Sequence, residues 1–172
     1  GGKESVGPAR RAGVGALLMG SKQGRPGCVR RVLDAHAGVD QGTQGGATAL
    51  IVACQDGDEA CARLLLGANA SVDQARLGGW TALMLACEDG HEACARLLLD
   101  ANASVDQAKQ DGWTALLIAS KHGHPECVRL LLDAHASVDQ VTQDGATALI
   151  VACQAGDEAC ARLRLGAHAR VD

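Results

Sequence analysis

Two histidine–cysteine pairs have the residue types and the spacing that covalent catalysis would need. His91 lies three positions before Cys94, and His124 lies three positions before Cys127. On a helix this spacing brings an imidazole and a thiol onto one face, where the imidazole could take up the thiol proton and activate the sulfur as a nucleophile. Aspartate replaces the histidine at equivalent positions elsewhere, and the cysteines belong to an apolar stripe. We therefore expect no catalysis and predict that the protein is not an enzyme.

The eight cysteines could in principle form disulfides or a zinc site. They fall into two sets, Cys28, Cys61, Cys94, Cys127 and Cys160, and Cys54, Cys87 and Cys153. Equivalent positions of stacked helical units lie about 8 to 10 Å apart, beyond the roughly 7 Å between Cα atoms that a disulfide can bridge. A Cys-x2-Cys zinc spacing is also missing. We predict buried free thiols, no metal and no cofactor, with a bridge inside one unit, such as Cys54 to Cys61, as the open alternative.

These residues are positioned by a repeat. Thr48, Thr81, Thr114 and Thr147 stand at intervals of 33 residues, and the surrounding glycines, arginines and cysteines recur with the same period. A period of this length is typical of a solenoid, in which each unit buries its apolar faces only by stacking on its neighbours.

Residues 79–111 indicate how one unit is built. Thr81 is placed to cap a helix, because the six residues that follow it are apolar and free of helix breakers. A helix that is apolar on nearly every side lies between neighbours. Gly90 then ends it, since glycine accepts the positive φ needed after the last turn, and a second helix begins near His91.

The second helix of each unit is amphipathic. Cys94, Leu97 and Leu98 form its apolar stripe, and Glu92 and Arg96 form an exposed i, i+4 pair. The loop that follows has one position occupied only by Asn or His: His36, Asn69, Asn102, His135 and His168. Both types are enriched in the left-handed conformation, so we predict a left-handed residue after the helix. Metal ligation by the histidines would require convergence across repeats about 10 Å apart, and we do not expect it.

The segments Gly-Trp-Thr-Ala-Leu, Ala-Cys-x-x-Gly-His, Arg-Leu-Leu-Leu and Ala-Ser-Val-Asp make this unit similar to the ankyrin repeat. The resemblance covers residues 13–172 as five units: 13–45, 46–78, 79–111, 112–144 and 145–172. It implies an all-α solenoid of stacked antiparallel helix pairs with β-turn fingers. It also implies binding of a protein partner through the fingers and the concave face of the first helices. We expect residues 1–12 to be a flexible N-terminal segment.

The two terminal units depart from this pattern. Unit one has Val14 and Gly15 where the pattern has alanine and threonine, so we expect its first helix to fray. Arg31 also interrupts its leucines. In unit five, Arg164 replaces a leucine of the buried stripe. The outer face of a terminal repeat is usually polar, so the array is expected to be poorly capped.

The residues that vary between units define the candidate partner-binding surface. Trp80 and Trp113 are the only aromatic residues, and tryptophan is enriched among binding hot spots. The alternative, that each indole packs over its own or the adjacent turn, stays open. Asp56, Glu88 and Asp89 would favour a basic patch on the partner. The full set is Trp80, Trp113, Leu77, Gln110, Asp111, Gln143, Asp144, Asp56, Glu88, Asp89, Lys121 and His122.

Charge and hydropathy narrow the classes of partner. The net charge is −4 with acids and bases interspersed, which argues against binding nucleic acid. The apolar runs are shorter than the roughly 20 residues of a membrane span, and no signal peptide is evident, so we expect a cytoplasmic, soluble protein. Two alternatives remain: the targeting or scaffold segment of a larger enzyme, and a structural array that self-associates weakly end to end. The sequence does not identify the partner.

Overall fold

The computed structural model describes residues 8–168, and side chains from residue 13 to residue 166. Within this range the chain forms helices in five antiparallel pairs and no β-strand, apart from two isolated bridges. The helices are α1 Pro8–Lys22, α2 Pro26–Asp34, α3 Ala49–Gln55, α4 Glu59–Gly67, α5 Ala82–Glu88, α6 Glu92–Asp100, α7 Ala115–His122, α8 Pro125–Asp133, α9 Ala148–Ala155 and α10 Glu158–His168. The predicted all-α solenoid is confirmed.

The predicted caps define the first helix of units two to five. The hydroxyl oxygen of Thr81 accepts a hydrogen bond from the backbone N–H of Met84 at 3.3 Å, and the other three threonines cap their helices in the same way. Gly90 follows α5 with a φ of 72°, as predicted. These short helices are nearly surrounded, and every residue from Ala82 to Cys87 is buried.

Stacking buries these helices in two layers. The first helices α1, α3, α5, α7 and α9 pack one on the next, and the second helices α2, α4, α6, α8 and α10 form a parallel row behind them. Each first helix also packs on the second helix of its own unit. The apolar core therefore runs continuously along the array.

A left-handed residue follows α2, α4, α6 and α8, as predicted. The φ angles are 57° at His36, 60° at Asn69 and Asn102, and 61° at His135. For His168 the prediction is wrong, because α10 continues through it. In the inner units, the serine two residues after the left-handed position hydrogen-bonds to an aspartate of the preceding unit, as Ser104 does to Asp73. In unit five the equivalent position is occupied by Arg170.

An aspartate ladder joins the loops of consecutive units. Asp73 accepts hydrogen bonds from the backbone N–H of Ser104 at 2.8 Å and from its hydroxyl at 2.5 Å. Asp40 binds Ser71 in the same way, and Asp106 accepts from the backbone N–H of Ser137. Each loop is thereby tied to the loop one unit before it.

The first helix of unit one begins earlier than the repeat pattern predicts. Gly15 offers no side chain to cap a helix, so α1 does not start there but begins at Pro8, a residue suited to the first helical position. Part of the segment expected to be flexible is thus helical, and residues 1–7 lie outside the described range. Arg31 is exposed on α2, where later units have half-buried leucines.

Candidate functional site

The candidate site is built on four β-turn fingers that precede the first helices. Each finger is closed by a backbone hydrogen bond from its first residue to the carbonyl of its fifth. These bonds are Thr43 to Ala47 at 3.0 Å, Arg76 to Trp80 at 2.9 Å, Lys109 to Trp113 at 2.9 Å and Thr142 to Ala146 at 3.0 Å. The first two fingers are also joined, because the N–H of Leu77 donates to the carbonyl of Gly45 at 2.8 Å, and so are the last two, because the N–H of Gln143 donates to the carbonyl of Asp111 at 3.0 Å. Between the second and third fingers, Lys109 contacts Trp80. The fingers therefore form one connected ridge.

Trp80 lies under two cations of the protein itself. The Nζ atom of Lys109, from the next finger, is 4.1 Å from the ring centroid, and the guanidinium of Arg76 is 5.9 Å from it. Lys109 also forms an ion pair with Asp111, with 3.1 Å between Nζ and Oδ2. Partial burial acts to raise the pKa of Asp111, but hydrogen bonds from Lys109 and from the Trp113 N–H outweigh it, and the pKa lies below its ordinary value. Trp80 is thus half-buried and engaged within the chain.

Trp113 is also half-buried, but one cation of the described residues, rather than two, lies over its ring. Lys121 from its own unit lies over the ring, with Nζ 4.9 Å from the centroid. Trp113 also lines a groove of about 370 Å³ together with Asp144, Ile150 and Gln154. The groove follows from the sequence, because Ala146 occupies the position that the two preceding fingers fill with tryptophan.

The finger tips carry the other predicted residues. Leu77 is 77% exposed, the most exposed large apolar residue among those described. Gln110, Gln143 and Asp144 are also exposed, and the side-chain amide of Gln143 donates to the backbone carbonyl of Gln110 at 2.7 Å. The tips therefore present amide, carboxylate and aliphatic groups in a row.

The remaining predicted residues lie at the ends of the first helices. Asp56 and Asp89 are exposed residues directly after α3 and α5, and half-buried Glu88 is the last residue of α5. Lys121 and His122 are exposed in the last turn of α7. The acidic side chains thus belong to two adjacent units and the basic ones to the unit that follows.

The histidines in the candidate catalytic pairs have a different role. The Nε2 atom of His124 lies 2.9 Å from the backbone carbonyl oxygen of Glu88, and that of His91 lies 3.1 Å from the carbonyl oxygen of Gln55. Both rings thus bind the end of a first helix in the preceding unit. A side chain at Gly90 would clash with this arrangement, since its Cβ would lie 2.5 Å from Nδ1 of His124. These contacts were not predicted.

All eight cysteines are free thiols, and the alternative Cys54–Cys61 bridge does not form. Six of them are buried, as predicted, but Cys28 and Cys153 are exposed, so for these two the prediction of burial is wrong. The neighbouring thiol of Cys94 in the next unit, together with burial, raises the pKa of Cys54. Cys87 and Cys127 repeat the arrangement. Burial raises the pKa of Cys61 to about 12, so it carries no thiolate.

The described part of the chain contains neither a cluster of metal ligands nor a membrane-spanning helix. No three His, Cys, Asp or Glu side chains come together there as a metal site would require. None of the helices between Pro8 and His168 is both long and apolar enough to cross a bilayer.

Comparison with known families supports the repeat architecture. The family profile described as ankyrin repeats in three copies matches residues 17–109 and again residues 101–171. No curated protein sequence matches the chain. Ankyrin repeats are generally protein-interaction modules and are typically non-catalytic. The profile match spans most of the chain and agrees with the stacked helix pairs, the capping threonines and the fingers, and on these grounds the chain belongs to the ankyrin repeat family.

Proposed function

We propose that the protein is a non-catalytic interaction module that binds a protein partner through its finger tips and the concave face of its first helices. The groove beside Trp113 is the observation that carries this proposal. It combines an indole, the partly exposed side chain of Ile150 and the carboxylate of Asp144 in a recess of about 370 Å³. Exposed apolar patches rimmed by polar residues are typical of protein interaction sites.

The pattern of variation supports the same surface. The threonine caps, helix-ending glycines and buried leucines are nearly the same in every unit. The finger tips and the ends of the first helices differ from unit to unit. A constant scaffold under a variable surface is what recognition of a particular partner requires.

The two tryptophans are expected to contribute differently. Trp80 has Lys109 and Arg76 over its ring, so its truncation would mainly loosen the finger ridge. Trp113 lines the groove and is therefore the better anchor. The charges of Asp56, Glu88 and Asp89 favour a basic patch on the same partner, further along the ridge.

The test compares matched variants of the whole protein. Partners recovered by affinity purification from native cells would be identified by mass spectrometry and then measured against purified Trp113→Ala and Trp80→Ala proteins. We expect Trp113→Ala to weaken binding by more than tenfold, the range of a hot-spot residue, and Trp80→Ala to weaken it less. Circular dichroism would verify that both variants stay helical. Undiminished binding by folded Trp113→Ala would contradict the proposed site.

A second candidate function, end-to-end self-association, is favoured by exposed apolar side chains on unit five. Ile150 is 46% exposed, whereas Ile51, Met84 and Leu117 at the equivalent position are each 1% exposed because the next unit covers them. Leu165 is also exposed. Light scattering across protein concentration tests this candidate, with Ile150→Lys as the variant that should restore a monomer. A monomer at every concentration would leave it without support.

A further inference from the structure

The protein contains its own example of a cation bound to an indole in this ridge. Lys109 from one finger lies over Trp80 of the preceding finger, 4.1 Å from the centroid, and the same ammonium group contacts Asp111 at 3.1 Å. The Lys109 side chain is only 13% exposed, so the indole and the carboxylate remove most of it from water. A cation held by an aromatic face and an acid gains from both contacts.

One unit further on, the indole and the acid recur but the lysine does not. Trp113 corresponds to Trp80 and Asp144 to Asp111, whereas Thr142 stands at the position of Lys109. The groove of about 370 Å³ lies among Trp113, Thr142 and Asp144. The repeat thus presents the same two recognition groups, with open space where the preceding unit has the Lys109 side chain and the Trp113 ring.

Nothing in the described part of the chain neutralises this acid. Asp144 is exposed, and its carboxylate has no ion-pair or hydrogen-bond partner within residues 13–166. Lys121 does lie over Trp113, but at 4.9 Å from the centroid and without an ion pair to Asp144. The groove therefore retains a negative charge beside an aromatic surface.

We propose that this groove binds a lysine side chain of the protein partner, in the place that Lys109 takes beside Trp80. This inference depends on the proposed function, because it assigns the chemistry of the partner at the same site. The methylene groups of this lysine pack against Trp113 and Ile150. Its ammonium group contacts the Asp144 carboxylate and the side-chain amide oxygen of Gln154. The aliphatic part of a lysine contributes burial, and its charge contributes selectivity.

Tryptophan fluorescence can test this chemistry without knowledge of the partner. In a Trp80→Phe protein the only indole is Trp113. The probe is Nα-acetyl-lysine methylamide, and the control is the same compound acetylated at Nε, which keeps the methylene stem but carries no charge. With ionic strength held constant, we expect a saturable change for the probe and an affinity lower by about fivefold or more for the control. Asp144→Asn should reduce this difference, because only the indole face then favours the charged group.

The preceding finger supplies the matched controls. A Trp113→Phe protein retains only Trp80, whose site is filled by Lys109, so we expect no response to the probe. Combining Lys109→Thr with Trp113→Ala should create a response, because the two changes reproduce Thr142 and Ala146 of the groove beside Trp80. Conversely, Thr142→Lys in the Trp80→Phe protein should fill the groove and remove the response.

Three outcomes would overturn the inference: no saturable response in Trp80→Phe, equal affinity for probe and control, or an unchanged preference in Asp144→Asn. These outcomes are distinguishable from failure of the proposed function. If Trp113→Ala still abolished partner binding, the site would stand and only the assignment of a lysine would be wrong. Circular dichroism of each variant would verify that it is folded.

Discussion

Arg164 is the side chain that fits its surroundings least well. Leu65, Leu98 and Leu131 occupy the equivalent position in earlier units and are fully buried, and Arg164 is itself only 2% exposed. Its guanidinium donates to the carbonyl of Val138, but Nε and Nη1 have no partner within the described residues. Burial lowers its pKa, although Asp139 acts in the opposite direction. Unit five therefore has a buried polar group where the other units have hydrocarbon.

Replacing this arginine should stabilise the protein. Because Arg164→Leu restores the side chain of the inner units and removes buried, unpaired donors, we expect the free energy of unfolding to rise by about 1 to 3 kcal/mol. Urea denaturation would measure the change. Arg162→Leu, on the exposed face of the same helix, is the control and should change stability by less than about 0.5 kcal/mol. A loss of stability in Arg164→Leu would indicate that the guanidinium makes interactions more stabilising than its hydrogen bond to Val138.

Acid sensitivity is expected from Asp157, the residue before α10. Its carboxylate accepts a hydrogen bond from the N–H of Cys160 at 3.0 Å, and this bond outweighs desolvation and lowers the pKa below the ordinary 3.8. A carboxyl with a lowered folded-state pKa stabilises the protein above its unfolded-state pKa, and this contribution disappears as the pH falls through the folded-state value.

We therefore predict that Asp157→Asn flattens the loss of stability below about pH 4 while changing little at pH 7, because asparagine also caps helices but does not titrate. Urea midpoints measured across this pH range on both proteins would provide the comparison. Parallel pH profiles would show that Asp157 is not a source of the acid sensitivity.

At the scale of one element, the helix pair depends on residues that end helices. Asn102 follows α6 with a φ of 60°, a conformation that asparagine and glycine tolerate better than alanine. We predict that Asn102→Ala lowers the free energy of unfolding by about 1 to 2 kcal/mol. Asn102→Gly should be close to neutral. Thermal denaturation of the two variants tests this, and equal destabilisation by both would point to a side-chain contact of Asn102 as the cause.

The sequence predicted the parts of each element that depend on near neighbours. The Thr81 cap, the Gly90 stop and the left-handed Asn102 all follow from contacts or backbone angles within a few residues. Contacts between units were missed, because their partners are remote in the chain. Asp73 and Ser104 are 31 residues apart, and the His124 ring and the Glu88 carbonyl are 36 residues apart.

In the candidate site, too, the contacts between units could not be predicted from the sequence. The fingers and the special position of the tryptophans could be read from the sequence, because both depend on the repeat. Lys109 lies over Trp80, whereas the corresponding space beside Trp113 is open. This difference depends on how neighbouring fingers pack against each other. The repeat period alone aligns Lys109 with Thr142. Only the contact between Lys109 and the Trp80 ring shows that this alignment concerns a cation-binding position.

At the scale of the whole molecule, the array is held together by contacts between consecutive units. The substantial helix contacts lie within a unit or between adjacent units, and the loop ladder also connects neighbours. The stability of such an array is approximately a sum over units and their interfaces, so damage at one end need not spread to the other. Both tryptophans lie in inner units, which makes their fluorescence a local probe.

A pair of matched cavities can test this independence. Leu17 in unit one and Leu98 in unit three are both buried, and truncating either to alanine should cost about 2 to 5 kcal/mol locally. We expect Leu98→Ala to shift the urea midpoints of tryptophan fluorescence and circular dichroism together, because the cavity lies among the units that carry the indoles. Leu17→Ala should start the circular dichroism transition earlier and leave the fluorescence midpoint nearly unchanged. If Leu17→Ala shifted both midpoints equally, the units would unfold as one cooperative block, and contacts between neighbours would have to be strong compared with the stability of a single unit.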